Sequence, residues 1–161
     1  MIALRPVRDD DREFLFHLYA STREQELAQV PWSAEQKEAF LRQQFGAQSS
    51  WWAQEYRDAT FDIVEVDGVA SGRLYVQRAT DEHRIVDIAL MPAHRGHGLG
   101  TQLLSDVIAE ADTAGKRVSI HVELFNPARH LYERLGFVPI EDKGVYLLME
   151  RAPTATVIPQ E

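Results

Sequence analysis

The stretch Arg95-Gly96-His97-Gly98-Leu99-Gly100-Thr101 puts glycine at three alternate positions, between an apolar run, IVDIALM, and an amphipathic run, LGTQLLSDVIAEADTAG. Glycine costs about 1 kcal/mol against alanine inside a helix. Three glycines at a helix mouth therefore mean unusual backbone angles, or close approach of something to bare amides. The helix that follows turns Leu99, Leu103, Leu104, Val107, Ile108 and Ala111 to one face. Its first turn leaves about four N–H groups without helical partners, and with the positive end of the helix dipole they make an anion site. Arg95 adds a positive charge and Thr101 a hydroxyl. This predicts a diphosphate cradle, with a ligand-free glycine turn as the plain alternative.

The rest of the chain limits what such a cradle serves. Its 161 residues suit one domain. There is no cysteine, so disulfides, thiolate metal sites and a cysteine nucleophile are excluded. The six histidines show no metal-ligand spacing, so no metal is expected. The net charge of −8 argues against nucleic acid as a partner and agrees weakly with a cationic acceptor. MIALRPVRDDDREF becomes charged too early for a signal peptide, and no apolar run approaches the roughly 18 residues of a membrane span. A cytoplasmic protein without membrane partners is expected.

Periodicity and breakers give an element order. IALRP opens as a strand, and acidic RDDDRE leads into a helix from about Asp10 to Ala28. QVPWS interrupts. Ser33 then caps a second helix, AEQKEAFLRQQFGAQ, with Trp51, Trp52 and Tyr56 placed after it. FDIVEV and ASGRLYVQR form a hairpin about Asp67-Gly68, and HRIVDIALM is a third sheet strand. The glycine helix, KRVSIHVEL, a helix opened by Asn126-Pro127 and two closing strands complete the order. A meander followed by a strand–helix–strand crossover predicts a mixed sheet. The tail from 152 to 161 is expected to be loose.

Two familiar phosphate loops do not fit. The P-loop requires Gly-Lys-Ser/Thr, and Gly100-Thr101-Gln102 lacks the lysine. The glycines run GxGxG rather than GxGxxG, and PAHR separates Met91 from Gly96. Glu123, near the end of the next strand, suits a ribose-binding acid and keeps a dinucleotide-binding enzyme as an alternative. Arg95-x-x-Gly98-x-Gly100 instead resembles the Arg/Gln-x-x-Gly-x-Gly/Ala signature of the GNAT superfamily of acetyl-CoA-dependent N-acetyltransferases. NPARHLYERLGF is similar to that family's second signature, and ALRPVRDDDREFL to its first strand and helix. The likeness runs from Ile2 to about Arg151.

The resemblance implies an α/β (α+β) fold over residues 1–151. Its sheet would be mixed but mostly antiparallel, with six to seven strands and about four helices, the fourth and fifth strands splayed beyond a bulge. It implies acetyl-CoA as cosubstrate, its pantetheine arm bonded near Ile88, Ala89 and Leu90. The pyrophosphate would meet the amides of Arg95, Gly96, His97, Gly98, Leu99, Gly100 and Thr101. Asn126 would touch the arm, although Asn-Pro is also a standard helix start. Tyr132 would protonate the departing thiolate, or simply pack. The acetyl group would pass to a primary amine by direct attack in a ternary complex. His121, Glu123 and Asp87 compete as base, and some family members use only water. Trp32, Trp51, Trp52, Tyr56, Arg73 and Tyr75 are candidates for the acceptor pocket. A CoA-binding module without turnover is a further alternative. Relatives often dimerise, and the last strand with its tail is available to pair two subunits.

Overall fold

The computed structural model describes residues 1–124 and 126–154. Seven strands form one sheet: β1 (Ile2–Pro6), β2 (Thr60–Val66), β3 (Val69–Arg78), β4 (Glu82–Leu90), β5 (Arg117–Glu123), β6 (Val138–Asp142) and β7 (Tyr146–Arg151). Their order across the sheet is β1-β2-β3-β4-β5-β7-β6. Every pairing is antiparallel except β4 with β5. The helices are α1 (Arg12–Ala28), α2 (Ala34–Glu55), α3 (Leu99–Thr113) and α4 (Arg129–Arg134). Among the described residues no helix is long and apolar enough to cross a membrane.

Alternation along the strands gives the sheet two working faces. On one, α3 lays Leu103, Leu104, Val107, Ile108 and Ala111 over Val76, Ile85, Val118, Ile120 and Val122. Tyr132 of α4 joins the same cluster. On the other, α1 and α2 bring Leu15, Phe16, Tyr19 and Phe45 onto Ile63. The hairpin between β2 and β3 turns at Asp67 and Gly68, both with positive φ, as the Asp-Gly pair predicts.

The second helix is longer than its sequence suggests. It runs unbroken to Glu55, so Trp51 and Trp52 lie on it rather than after it. Gly46 is a lone glycine, and the Ser33–Gln36 capping box starts the helix firmly enough to tolerate it. Trp52 faces inward and is buried, while Trp51 is exposed beside Tyr56. Asn126 also departs from a simple cap. Its side-chain oxygen accepts from the Ala128 N–H at 2.9 Å, and α4 proper begins only at Arg129.

A buried ion pair ties β1 to the start of α1. Asp11 accepts two hydrogen bonds from the Arg5 guanidinium, both 2.8 Å, and one from the Arg8 N–H at 2.7 Å. The Arg5 bonds hold its carboxyl below the usual carboxylate range against the cost of burial. The pair therefore stabilises the fold above pH ~4, and that contribution disappears as the pH falls through the lowered pKa. Asp11→Asn is expected to cost about 2 kcal/mol at neutral pH, since charged hydrogen bonds are lost while Arg5 keeps Glu65. Urea unfolding at pH 7 and pH 3 checks it: the difference between variant and parent shrinks in acid.

Candidate active site

The central feature is a gap in the sheet. β4 and β5 pair only from Glu82↔Arg117 to Ile85↔Ile120. At that point β4 bulges: β3 passes from Val76↔Ile85 to Tyr75↔Asp87, leaving Val86 as the extra residue. A bulge bends its strand and ends pairing. From Asp87 to Leu90 β4 pairs only with β3, and from His121 to Glu123 β5 pairs only with β7. Both facing edges keep backbone groups that a ligand amide can satisfy.

The glycine stretch closes the open end of this gap. Gly96 and Gly98 have φ of +78° and +80°, the left-handed region that resists side chains. Gly98 is the residue immediately before α3, with no side chain capping the helix. Gly100 has no such angle and faces only Leu90, 4.0 Å from where a Cβ would stand. Backbone conformation therefore explains two glycines, and room over the amides the third. Among the described residues, Gln102 is the first amide after Arg95 with a backbone partner, the Gly98 carbonyl at 3.0 Å. The Arg95 guanidinium does not lie over the loop. It donates to the Leu90 carbonyl at 2.9 Å and to Ser21 Oγ on α1 at 3.1 Å.

Tyr132 and Asp87 lie on opposite faces of the sheet, with the Asp87 charge felt at the phenol. Tyr132 is buried beside Phe137, in the cluster that Ile88 and Leu90 pack against. Burial, then the Asp87 charge, pushes its phenol above the ordinary tyrosine range, so it stays protonated at neutral pH. A protonated phenol is chemically able to protonate a thiolate.

Each of the three candidate bases already faces a cation. Asp87 accepts from Arg73 Nε at 2.6 Å, and that buried guanidinium lies 5.0 Å from the Trp52 ring and 5.4 Å from Tyr75. Glu123 accepts at one carboxylate oxygen from Arg23 of α1 at 3.0 Å, which draws it into an ion pair. His121 Nε2 lies 3.2 Å from Lys143 Nζ. An ammonium only donates, so a hydrogen bond between the two has Nε2 as its acceptor. Burial, Arg84 and Lys143 together lower the His121 pKa, against the weaker pull of Glu141 and Glu82. Arg23 and Lys143 are the residues sequence reasoning missed, because their partners lie 100 and 22 positions away. His97 is exposed and His94 half-buried, and neither has a side-chain bond to the loop among the described residues.

Residues 13–137 match the model of the Acetyltransferase (GNAT) family, more than half of the chain. The chain belongs to the GNAT acetyltransferase family. A Bacillus subtilis (strain 168) protein assigned as a ribosomal protein bS18-alanine N-acetyltransferase is 26% identical over 139 residues, 85% of this chain and 81% of its own length. The L-amino acid N-acyltransferase MnaT of Escherichia coli K12 is 44% identical over 63 residues, 38% of this chain and 35% of that one. The fold superposes on the PaiA N-acetyltransferase of Thermoplasma acidophilum, solved in complex with coenzyme A. The TM-score is 0.71 at 18% identity, covering 94% of this chain and 99% of that one. The GNAT expectation for fold and activity class therefore stands. The non-catalytic module and the dinucleotide-binding enzyme are not favoured.

Proposed function

We propose that this GNAT protein moves an acetyl group from acetyl-CoA to a primary amine presented by a peptide or protein N-terminus. The observation that carries the reading is the β4–β5 gap ending at unpaired amides of the glycine stretch. The pantetheine arm lies along Ile88, Ala89 and Leu90 as an added strand. The amides from Gly96 to Thr101 hold the pyrophosphate at the mouth of α3. Asn126 serves the arm with its side-chain amide while its oxygen caps the turn at Ala128. It borders a surface hollow of about 440 Å³ beside the end of β5. His121, neutral at working pH, takes the proton of the incoming ammonium. The amine then attacks the thioester carbonyl, and Tyr132 protonates the departing thiolate. Asp87 and Glu123 remain with their arginines and set the field around the acceptor rather than accepting its proton.

Two things support a peptide acceptor: the Bacillus relative, which spans most of the chain, is assigned to a ribosomal protein, and Tyr146 is exposed beside the end of β5. The reading extends to a cytoplasmic, single-domain protein, where acetyl-CoA is available. The last strand, β7, lies between β5 and β6 and has no free edge to pair two subunits, so a homodimer would form through the exposed edge strand β6 instead. The test is CoA release on mixing protein, acetyl-CoA and an acceptor panel. Peptides with a free N-terminus are expected to outpace free amino acids and polyamines by at least about tenfold in kcat/KM. Equal rates across the panel, or a preference for free amino acids, would overturn the peptide assignment.

A further inference from the structure

We propose that Lys143 is a self-acetylation site, the ε-amine acting as an internal acceptor at the protein's own acyl-transfer centre. The inference rests on the acetyltransferase reading above. The geometry begins with the turn between β6 and β7. The Lys143 N–H donates to the Tyr146 carbonyl at 2.8 Å, and the Gly144 N–H to Asp142 Oδ1 at 2.8 Å. Gly144 supplies the positive φ that closes the turn. Tyr146 pairs with Glu123, and the Leu124 N–H donates to the Val145 carbonyl at 3.2 Å. These bonds clamp the turn onto the end of β5, the strand that forms one side of the gap.

From that anchor the Lys143 side chain reaches back over the acceptor face and delivers Nζ to His121 Nε2. His121 is the first β5 residue beyond the last pairing with β4. Asp87, just past the bulge on the other strand, has its side chain on the same face as Arg73 and Tyr75. The lysine amine thus occupies the position that an acceptor ammonium needs: against a neutral imidazole at the apex of the split. The groups facing His121 are Arg84, Lys143, Glu141 and Glu82, and Lys143 is the one among them carrying a primary amine that can accept an acetyl group. Lys143 is exposed, so its four-carbon arm is free to swing from the imidazole to a thioester in the gap.

The step balances without any further reagent. His121 Nε2 takes one proton from the ammonium of Lys143. The neutral Nζ attacks the thioester carbonyl carbon, an N–C bond forms and the C–S bond breaks. The leaving thiolate takes the Tyr132 proton, the second amine proton is returned to the Tyr132 phenolate as the amide forms, and His121 releases its proton to solvent. The products are Nε-acetyl-Lys143 and coenzyme A.

The chain has three lysines, Lys37, Lys116 and Lys143, so the other two serve as internal references. Lys37 lies on α2, and Lys116 Nζ donates to the Ala79 carbonyl. Full-length protein is incubated with acetyl-CoA, and in parallel with acetyl phosphate, which acetylates lysines without needing the CoA site. Peptide mass spectrometry reads the ratio of modification at Lys143 to that at Lys37. The ratio with acetyl-CoA is expected to exceed that with acetyl phosphate by at least about tenfold, because the attack is intramolecular. It should fall to the acetyl phosphate value when excess coenzyme A competes, and stay constant on diluting the protein. Lys143→Arg should remove the acetyl-CoA-dependent signal while the protein remains folded. Equal ratios with the two donors would overturn the proposal. A calorimetric titration with acetyl-CoA separates the two readings: binding with equal ratios defeats only self-acetylation, whereas no binding defeats the acetyltransferase reading as well.

Discussion

Tyr132→Phe is expected to lower kcat by at least about 100-fold while changing the acetyl-CoA dissociation constant by less than about threefold. The substitution removes one hydroxyl and leaves the buried ring in place. The ring keeps its edge contact with Phe137 and its place in the cluster beneath Ile88 and Leu90. The fold and the arm-binding edge of β4 are therefore untouched, and the change falls on proton donation alone. The free thiol has a pKa of about 8.5, so expelling it as an unprotonated thiolate near neutral pH is slow without a nearby acid. Steady-state CoA release with a peptide acceptor, alongside calorimetry, separates the two quantities. A matching loss in both would mean that Tyr132 is a packing residue.

The second large effect is predicted at Gly72, in the middle of β3. Its φ is ordinary, so it is there for space rather than for an angle. A Cβ on Gly72 would press into the Ala89 carbonyl oxygen and come within 2.8 Å of Leu90 Cδ2 and 3.2 Å of Leu90 Cα. Two of the three contacts are backbone atoms, which cannot step aside as a side-chain end does. They belong to the segment of β4 assigned to the pantetheine arm. Gly72→Ala is expected to cost about 3 kcal/mol of stability, the upper range for overpacking a close backbone approach. At temperatures where the variant stays folded, acetyl-CoA affinity should fall by at least about tenfold, because the displaced Ala89–Leu90 edge no longer matches the arm. Thermal melts with and without acetyl-CoA measure both: the ligand-induced rise in Tm shrinks along with the Tm itself.

Local signals made most of the fold legible. Asp67-Gly68 marked its hairpin, Gly115 and Gly136 ended helices with positive φ, and the apolar stripe of α3 lies buried as spaced. The glycine turn before α3 was legible for the same reason, since glycine angles and unpaired first-turn amides are properties of one short stretch. The end of α2 was not, because nothing local marks it: Trp51 and Trp52 continue a helix whose hold comes from Trp52 packing on Tyr75 and Arg73. The electrostatics of the acceptor face were also hidden. Asp87, Glu123 and His121 were visible as titratable residues near the right strands. Their partners Arg73, Arg23 and Lys143 reach them only through the β3–β4 register, the placement of α1 and the last turn. Those pairings recast three competing candidates as two held carboxylates and one imidazole of lowered pKa.

The central claim is that the split between β4 and β5 and the amides at the start of α3 form a single site for acetyl-CoA. A crystal structure with coenzyme A tests it most directly. The account predicts pyrophosphate oxygens within hydrogen-bonding distance of amides between Gly96 and Thr101, and the pantetheine arm bonded to β4 between Ile88 and Leu90. Coenzyme A bound elsewhere, with β4 and β5 zipped together past Ile85 and Ile120, would contradict it.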